Sequence, residues 1–304
     1  MLRPVATEPA ELVRMGVAAM CGVANAHFNE KHWGAAVIAA GLLASEQAMS
    51  PAARSALIVQ AERLADSKTE WFPSPVDAGP GDAAHVVAAL AKSAASLNVL
   101  GHDTIFATLV LRAMANHPDL ATSANVEALV SMVEFATTLG PGGPFAGWDD
   151  PSTVLVEEAD DIPSIQTMEE LAISAATVFA GVGTVYDGFD RGVVQHLLTH
   201  THALIELDRL GHEAAVSSGI EAHRTYRKLM TRRPSAGAQA LSTDAVVPAF
   251  LTEEYWQQDL RGRDDWLYGH VFKVGLAWTA LEPLLTAASR KRAKLMLATT
   301  MTVT

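Results

Sequence analysis

Between Trp33 and Ser45 the chain is almost wholly apolar. A helix that is apolar on every side has no face to offer water, so other elements must enclose it on most sides. The rest of the sequence supplies helices for that task. From Ala10 to Ala26, the residues Leu12, Val13, Val17, Met20 and Val23 recur near one face at helical spacing. Pro51 opens a further helix at its first turn, where proline is tolerated. After a loop rich in proline and glycine (70–81), Asp82 is placed to cap a helix running from Ala83 to about Asn98. Gly101 to Asn116 and Asn125 to Thr138 follow, stopped by His117-Pro118 and by Gly140-Pro-Gly-Gly-Pro144. Thr167-Met-Glu-Glu170 reads as a capping box that opens a helix to Phe179. Arg191 to Leu210 ends at Gly211, and Glu213 to Met230 is more polar and expected to be partly exposed. Asp264 or Asp265 caps the last long helix, which is expected to kink at Pro283.

Strands are hard to find. The expected fold class is therefore all-α, with a single helical domain over 1–304. Its architecture would be a large bundle or toroid-like array around a central cavity lined by histidine, with 295–304 a tail that frays.

Apolar residues make up 49% of the chain and aromatics 6%, with alanine and leucine dominant, a composition that favours helix over sheet. The formal net charge is −12, and the one basic cluster is Arg290-Lys291-Arg292 with Lys294. Nucleic acid is excluded as a partner on that ground, because neutralising phosphates takes clustered Lys and Arg. The single cysteine, Cys21, excludes an internal disulfide and a cysteine-based metal cluster, and fits a reducing compartment. No basic leader precedes the first apolar stretch, which follows Glu8 and Glu11, and no apolar run reaches membrane-spanning length. The expectation is a cytoplasmic protein with no membrane partner; the sequence leaves its oligomeric state open.

Against this background, His196-Leu-Leu-Thr199-His200-Thr-His202-Ala203-Leu204 and His270-Val-Phe-Lys273 are conspicuous, each at the head of a long apolar helical stretch. Removing an imidazole or an ammonium from water costs several kcal/mol in order of magnitude, or forces the group to neutralise. Such residues suggest an interior polar site. Positions three or four apart share a helix face, which pairs His196 with Thr199 or His200, Thr199 with His202, and His270 with Lys273. His196 and His202 are six apart and point roughly 240° away from each other, so His196 and His200 are the more natural chelating pair. His32, just before the apolar helix, and His102, opening another, are the donors available from elsewhere. His117, His212 and His223 lie at helix ends or on polar faces and read as solvated, and His85 as packing at a helix start. The acidic run from Glu157 to Asp161 lacks the register of an EF-hand loop. Neither a Gly-x-Ser-x-Gly elbow nor a dinucleotide fingerprint after a strand is present.

At these residues the chain resembles the questin oxidase-like family, fungal and bacterial proteins that oxidise anthraquinone-type polyketides. The likeness rests on His196, Thr199, His202, Ala203 and Leu204 as a His-x-x-Thr-x-x-His-Ala-Leu helix, and on His270 and Lys273 as a late His-x-x-Lys. His102 with Ile105 is similar to an earlier motif. Asn29 with His32 is similar to the family's entry to its Ala/Leu helix, with His27 the competing position. Phe106 and Leu109 stand where members often place a second His or Arg.

The resemblance implies a Baeyer–Villiger or ring-cleaving oxidation of an aromatic polyketide-type ketone or phenol, with O2 as co-substrate at a non-haem iron site. Imidazoles suit ferrous iron, Fe(II), and no thiolate is at hand. The ion would be held by a subset of His32, His102, His196, His202 and His270, with Lys273 completing or supporting the shell. Lys273 must lose its proton to take part, and could then ligate, act as a base, or exist as a carbamylated lysine. Thr199 would hydrogen-bond a ligand imidazole, and Asp103 would orient His102. Trp33, Phe106, Phe272 and Trp278 would wall the pocket of a small aromatic substrate. The loop from Gly140 to Pro163 would close over it. Two other readings keep the fold: metal-free oxygen chemistry with His202 or His270 as base, and a non-catalytic helical protein that binds a polyketide or a metal.

Overall fold

The structure is a computed structural model that describes residues 8–46, 48–76, 78–141, 150–160, 162–182, 184–185, 188–232, 239–240, 248–258, 260 and 265–301. The fold is all-α. Its helices are α1 (Pro9–Gly22), α2 (Lys31–Ala44), α3 (Pro51–Ser67), α4 (Ala84–Ser93), α5 (His102–Asn116) and α6 (Ser123–Leu139). They continue with α7 (Met168–Gly181), α8 (Gly188–Arg209), α9 (Glu213–Thr231), α10 (Glu253–Trp256), α11 (Asp265–Leu281) and α12 (Ala287–Met301). Thr184–Val185 and Gln239–Ala240 form a two-residue antiparallel ladder, β1 and β2. The residues group into two compact units, and four of the five boundaries between them in the chain fall inside α4, α5, α6 and α11.

In the first unit (1–86, 109–132 and 249–276) the apolar helix α2 is the centre, and all 14 of its residues are buried. Helix α1 lies against it backbone to backbone. A Cβ placed on Gly16 would sit 2.7 Å from the Gly34 carbonyl oxygen, and one on Gly34 would sit 2.7 Å from the Met20 nitrogen. Glycine inside a helix costs about 0.5–1 kcal/mol relative to alanine, and the close crossing it permits offsets that cost. Lys31 is buried at the start of α2, and its ammonium donates to the carbonyls of Met20 (2.8 Å) and Val23 at the end of α1. A cation is favoured there by the helix dipole and the unpaired C-terminal carbonyls. Ser50 caps α3 by accepting from Ala53 N–H, and Gln60 reaches from α3 to the carbonyls of Trp256 (2.8 Å) and Gln258 (3.0 Å). The Trp256 indole stacks on Phe272 of α11, centroids 5.4 Å apart.

In the second unit (87–108, 133–248 and 277–304) the equivalent central element is α8, buried from Gly192 to Leu207. Unlike α2 it is rich in polar residues, and several of them are satisfied nearby. Gln195 donates to the Thr300 carbonyl (3.1 Å), Thr201 back-bonds to the Leu197 carbonyl (2.7 Å), and Tyr226 of α9 donates to the Val193 carbonyl. Helix α7 opens with the expected capping box, Thr167 with Glu170. Asp160 in the acidic loop pairs with Lys228 of α9 at 2.7 Å, and Lys228 also donates to the Leu155 carbonyl. That loop is pinned to the helix through Lys228.

Several expectations are corrected. Helix α4 ends at Ser93, not near Asn98, and a turn over 94–97 leads into the 3-10 turn that starts at Asn98. Pro283 breaks the last long helix instead of kinking it. α11 stops at Leu281, Pro283 sits in a 3-10 turn over Glu282–Leu284, and α12 begins at Ala287. The expected frayed tail is helical to Met301, with Leu297, Ala298 and Met301 buried. Among the described residues no helix is long and apolar enough to cross a membrane. Asp264 and the greater part of the 231–243 loop lie outside the described residues, as does 142–149 of the expected lid.

Candidate metal centre

Two short turns set up the first two imidazoles in the same way. A 3-10 turn over Asn25–Glu30 runs into α2, and His32 places its Nδ1 2.7 Å from the Asn29 carbonyl. A 3-10 turn over Asn98–Gly101 runs into α5, and His102 places its Nδ1 on the Val99 carbonyl, again three residues back. When Nδ1–H donates to a backbone oxygen, the lone pair is left on Nε2, as in metal-ligating histidines generally.

Each of these rings meets another histidine. In the first unit His32 lies 5.5 Å from His270 of α11, centroid to centroid, and in the second His102 lies 4.4 Å edge-on to His196 of α8. All four are buried, 2–6% exposed. One ligand atom from each of His32, His102, His196 and His270 lies within 4.8 Å of the others. Nitrogens about 2.0–2.1 Å from a tetrahedral ion stand about 3.3 Å apart, and a group of this kind could hold a metal ion. The donor set is four imidazoles, the type suited to iron, zinc, copper or nickel.

The turn before His102 is strained. Val99 (φ 45°) and Leu100 (φ 61°) are left-handed, as is Gly101 (φ 81°). That region costs an ordinary L-residue about 1–2 kcal/mol and is unusual for β-branched valine. The turn is held by Val99 N–H on the Gly140 carbonyl (2.6 Å), by Leu100 N–H on the Pro141 carbonyl (3.1 Å), and by Asn98. The Asn98 amide donates to the Ser93 carbonyl (3.0 Å) and to the Asp103 carboxylate (2.9 Å). Asp103 is fully buried, and burial lifts its carboxyl to about 6 against the lowering effect of these hydrogen bonds. Beneath the turn, a Cβ on Gly101 would stand 2.6 Å from His200 Cδ2.

Of the residues singled out from sequence, His32, His102, His196 and His270 come together. His27 is exposed and packs on Trp71, so the first motif resolves to His32. His202 is not in the group: its Nε2 lies 3.6 Å from the Glu206 carboxylate one turn on, which also receives Arg209. Thr199 donates to the His196 carbonyl (3.3 Å), not to an imidazole. Asp103 holds Asn98 and the Thr104 N–H (2.8 Å), and it is the Val99 carbonyl that orients His102. Lys273 follows His270 by one turn and is buried, which pushes its ammonium well below the ordinary lysine range.

The four aromatics are all buried. Phe106 packs on His102 (4.9 Å), Phe272 stacks on Trp256, and the Trp33 indole donates to Glu30 (2.9 Å) with the Lys68 ammonium over its ring. A cavity of about 340 Å³ lies in the first unit, lined by Arg14, Cys21, Ser74, Asp119 and Asn125 among others.

Sequence reasoning misplaced His223. It is fully buried on α9, its Nδ1 3.4 Å from the Thr201 hydroxyl and its ring nearly parallel to His200 at 6.4 Å. Burial lowers His200 to about 4 and His223 to about 3, so both are neutral. It also missed Asn98, whose side chain is the keystone of the left-handed turn. The Asn-x-x-Gly spacing before His102 was the available signal. No family model, curated protein or solved structure matches this chain.

Proposed function

We propose that this chain is a metal-dependent oxygenase, with His32, His102, His196 and His270 as the ligands of a ferrous ion. The observation that carries the reading is the convergence of four buried imidazoles from α2, α5, α8 and α11. The motif likeness to the questin oxidase-like proteins supports an aromatic polyketide, a phenol or enolisable ketone, as substrate. A bound ferrous ion would supply the one-electron chemistry that lets triplet oxygen react with a closed-shell molecule.

The donors suggest how the chain's own residues contribute. Four imidazoles carry no charge, so an ion held by them keeps its full positive charge in a buried place and draws in an anion. A phenolate or enolate substrate meets that need. So does a carbamate formed by carbon dioxide on the buried neutral amine of Lys273, which otherwise serves as base. The Asn29 and Val99 carbonyls fix two of the rings in one tautomer.

The completeness of the set favours a second reading. Four nitrogens fill a tetrahedral shell, the way non-catalytic sites are built, and the chain would then bind metal without turnover. Elemental analysis after anaerobic reconstitution with ferrous ion, followed by oxygen uptake with hydroxyanthraquinones or hydroxynaphthoquinones, separates the two. One ion per chain with substrate-dependent uptake is expected. One ion with no uptake across that panel leaves the second reading, and no stoichiometric ion overturns both.

A further inference from the structure

We infer that Asn98 and Asp103 are positioning residues for the histidine centre: their paired side chains lock the left-handed turn that sets the Val99 carbonyl on His102 Nδ1 and so dedicates Nε2 to the ion. The inference rests on the four imidazoles being a metal site, and its test is arranged so that the two can fail separately.

Three facts converge on the turn. Val99 and Leu100 have φ of 45° and 61°, a conformation that persists only where the surroundings over-determine it. Asn98 makes two buried hydrogen bonds, one back to the Ser93 carbonyl at the end of α4 and one forward to Asp103 in the first turn of α5. It thereby ties together the two helices that flank the turn. Asp103 closes the clamp by also accepting from Thr104 N–H. His200 forms the floor: its ring occupies the space a side chain at 101 would need, so only glycine fits there. His32 has the same Nδ1-to-carbonyl arrangement from a 3-10 turn with no left-handed residue, which makes it an internal control.

The variants are Asn98→Ala and Asp103→Asn, with Gly101→Ala disrupting the turn from its other side. Nitrogen-edited NMR of the metal-free protein reads the ring tautomers directly. In the parent, His32 and His102 both show the Nδ1–H tautomer. In the variants His102 is expected to lose it while His32 keeps it. Cobalt(II) affinity is expected to fall 10–100-fold, the range typical of lost outer-shell support. Adding Val99→Gly to Asn98→Ala should recover part of that affinity, because glycine turns left-handed without strain. The inference is overturned if His102 keeps its tautomer and affinity stays within twofold, or if His32 and His102 change together. Should the parent bind no cobalt, the metal reading fails, and the tautomer measurement still decides the clamp.

Discussion

The stacked pair His200 and His223 makes the fold sensitive to mild acid. Both rings are fully buried and neutral, lowered by burial to about 4 and about 3 from an ordinary 6.5. Unfolded, each takes up a proton as the pH falls below 6.5. Stability is therefore full above that value and declines as the pH drops toward 4. Between pH 7 and 5 the linkage amounts to about 2 kcal/mol per histidine. Asp103 acts in the opposite sense. Its folded carboxyl takes up a proton near 6 and its unfolded carboxyl near 3.8, so over the same interval it adds about 1 kcal/mol. The net loss from these three groups is about 2–3 kcal/mol, a sizeable share of a typical folding free energy. His223→Leu removes one contributor, and the loss should shrink to about 1 kcal/mol or less. The Thr201 hydroxyl keeps its bond to Leu197, so no new orphan donor is created. Urea unfolding of metal-free parent and variant at pH 7, 6 and 5 gives the two losses, and other titrating groups contribute equally to both. An unchanged loss in the variant refutes the reasoning, as does NMR titration of either histidine near 6.5 in the folded protein.

Gly34→Ala would place a Cβ 2.7 Å from the Met20 nitrogen and force α1 and α2 apart, at about 1–3 kcal/mol on the overpacking scale; a thermal midpoint equal to the parent's would contradict the close crossing. Lys31→Met leaves the Met20 and Val23 carbonyls without their buried donor and should cost about 1–3 kcal/mol, read by denaturant unfolding. His270→Ala should abolish stoichiometric ion uptake whereas His202→Ala should leave it intact, since His202 pairs with Glu206; equal loss in elemental analysis of both would reverse that assignment.

Much of the helical framework is written in local signals. The apolar run of α2 demanded enclosure and is enclosed, and the Thr167–Glu170 box opens α7 as expected. His223 could have been placed too. On α9 it shares the register of Ala215, Val216, Gly219, Ala222, Tyr226, Leu229 and Met230, the buried face of an otherwise polar helix. Charge on the opposite face masked that register. His202 illustrates the limit of motif reading. Its position six residues after His196 already set it on another side of the helix, and the carboxylate at Glu206 that receives it lies one turn on. What local rules could not supply is the turn at Val99 and Leu100. Neither residue favours the left-handed region, and they adopt it because Asn98, Asp103 and the carbonyls of Gly140 and Pro141 leave them no alternative.

The same comparison bears on His196 and His200, the pair that helical spacing marks as a chelate. The structure separates their tasks. His196 meets His102 edge-on and belongs to the four-imidazole group, while His200 turns its carbon edge to Gly101 beneath the strained turn. One helix thus serves His102 twice over: through the ring packed edge-on against it and through the ring that supports its backbone. A charged His200 would place an uncompensated cation beneath the turn that orients His102, and its burial prevents this by keeping the ring neutral above about pH 4. The second histidine of the motif supports the turn while the first belongs to the four-imidazole group, and a spacing rule alone cannot tell the two roles apart.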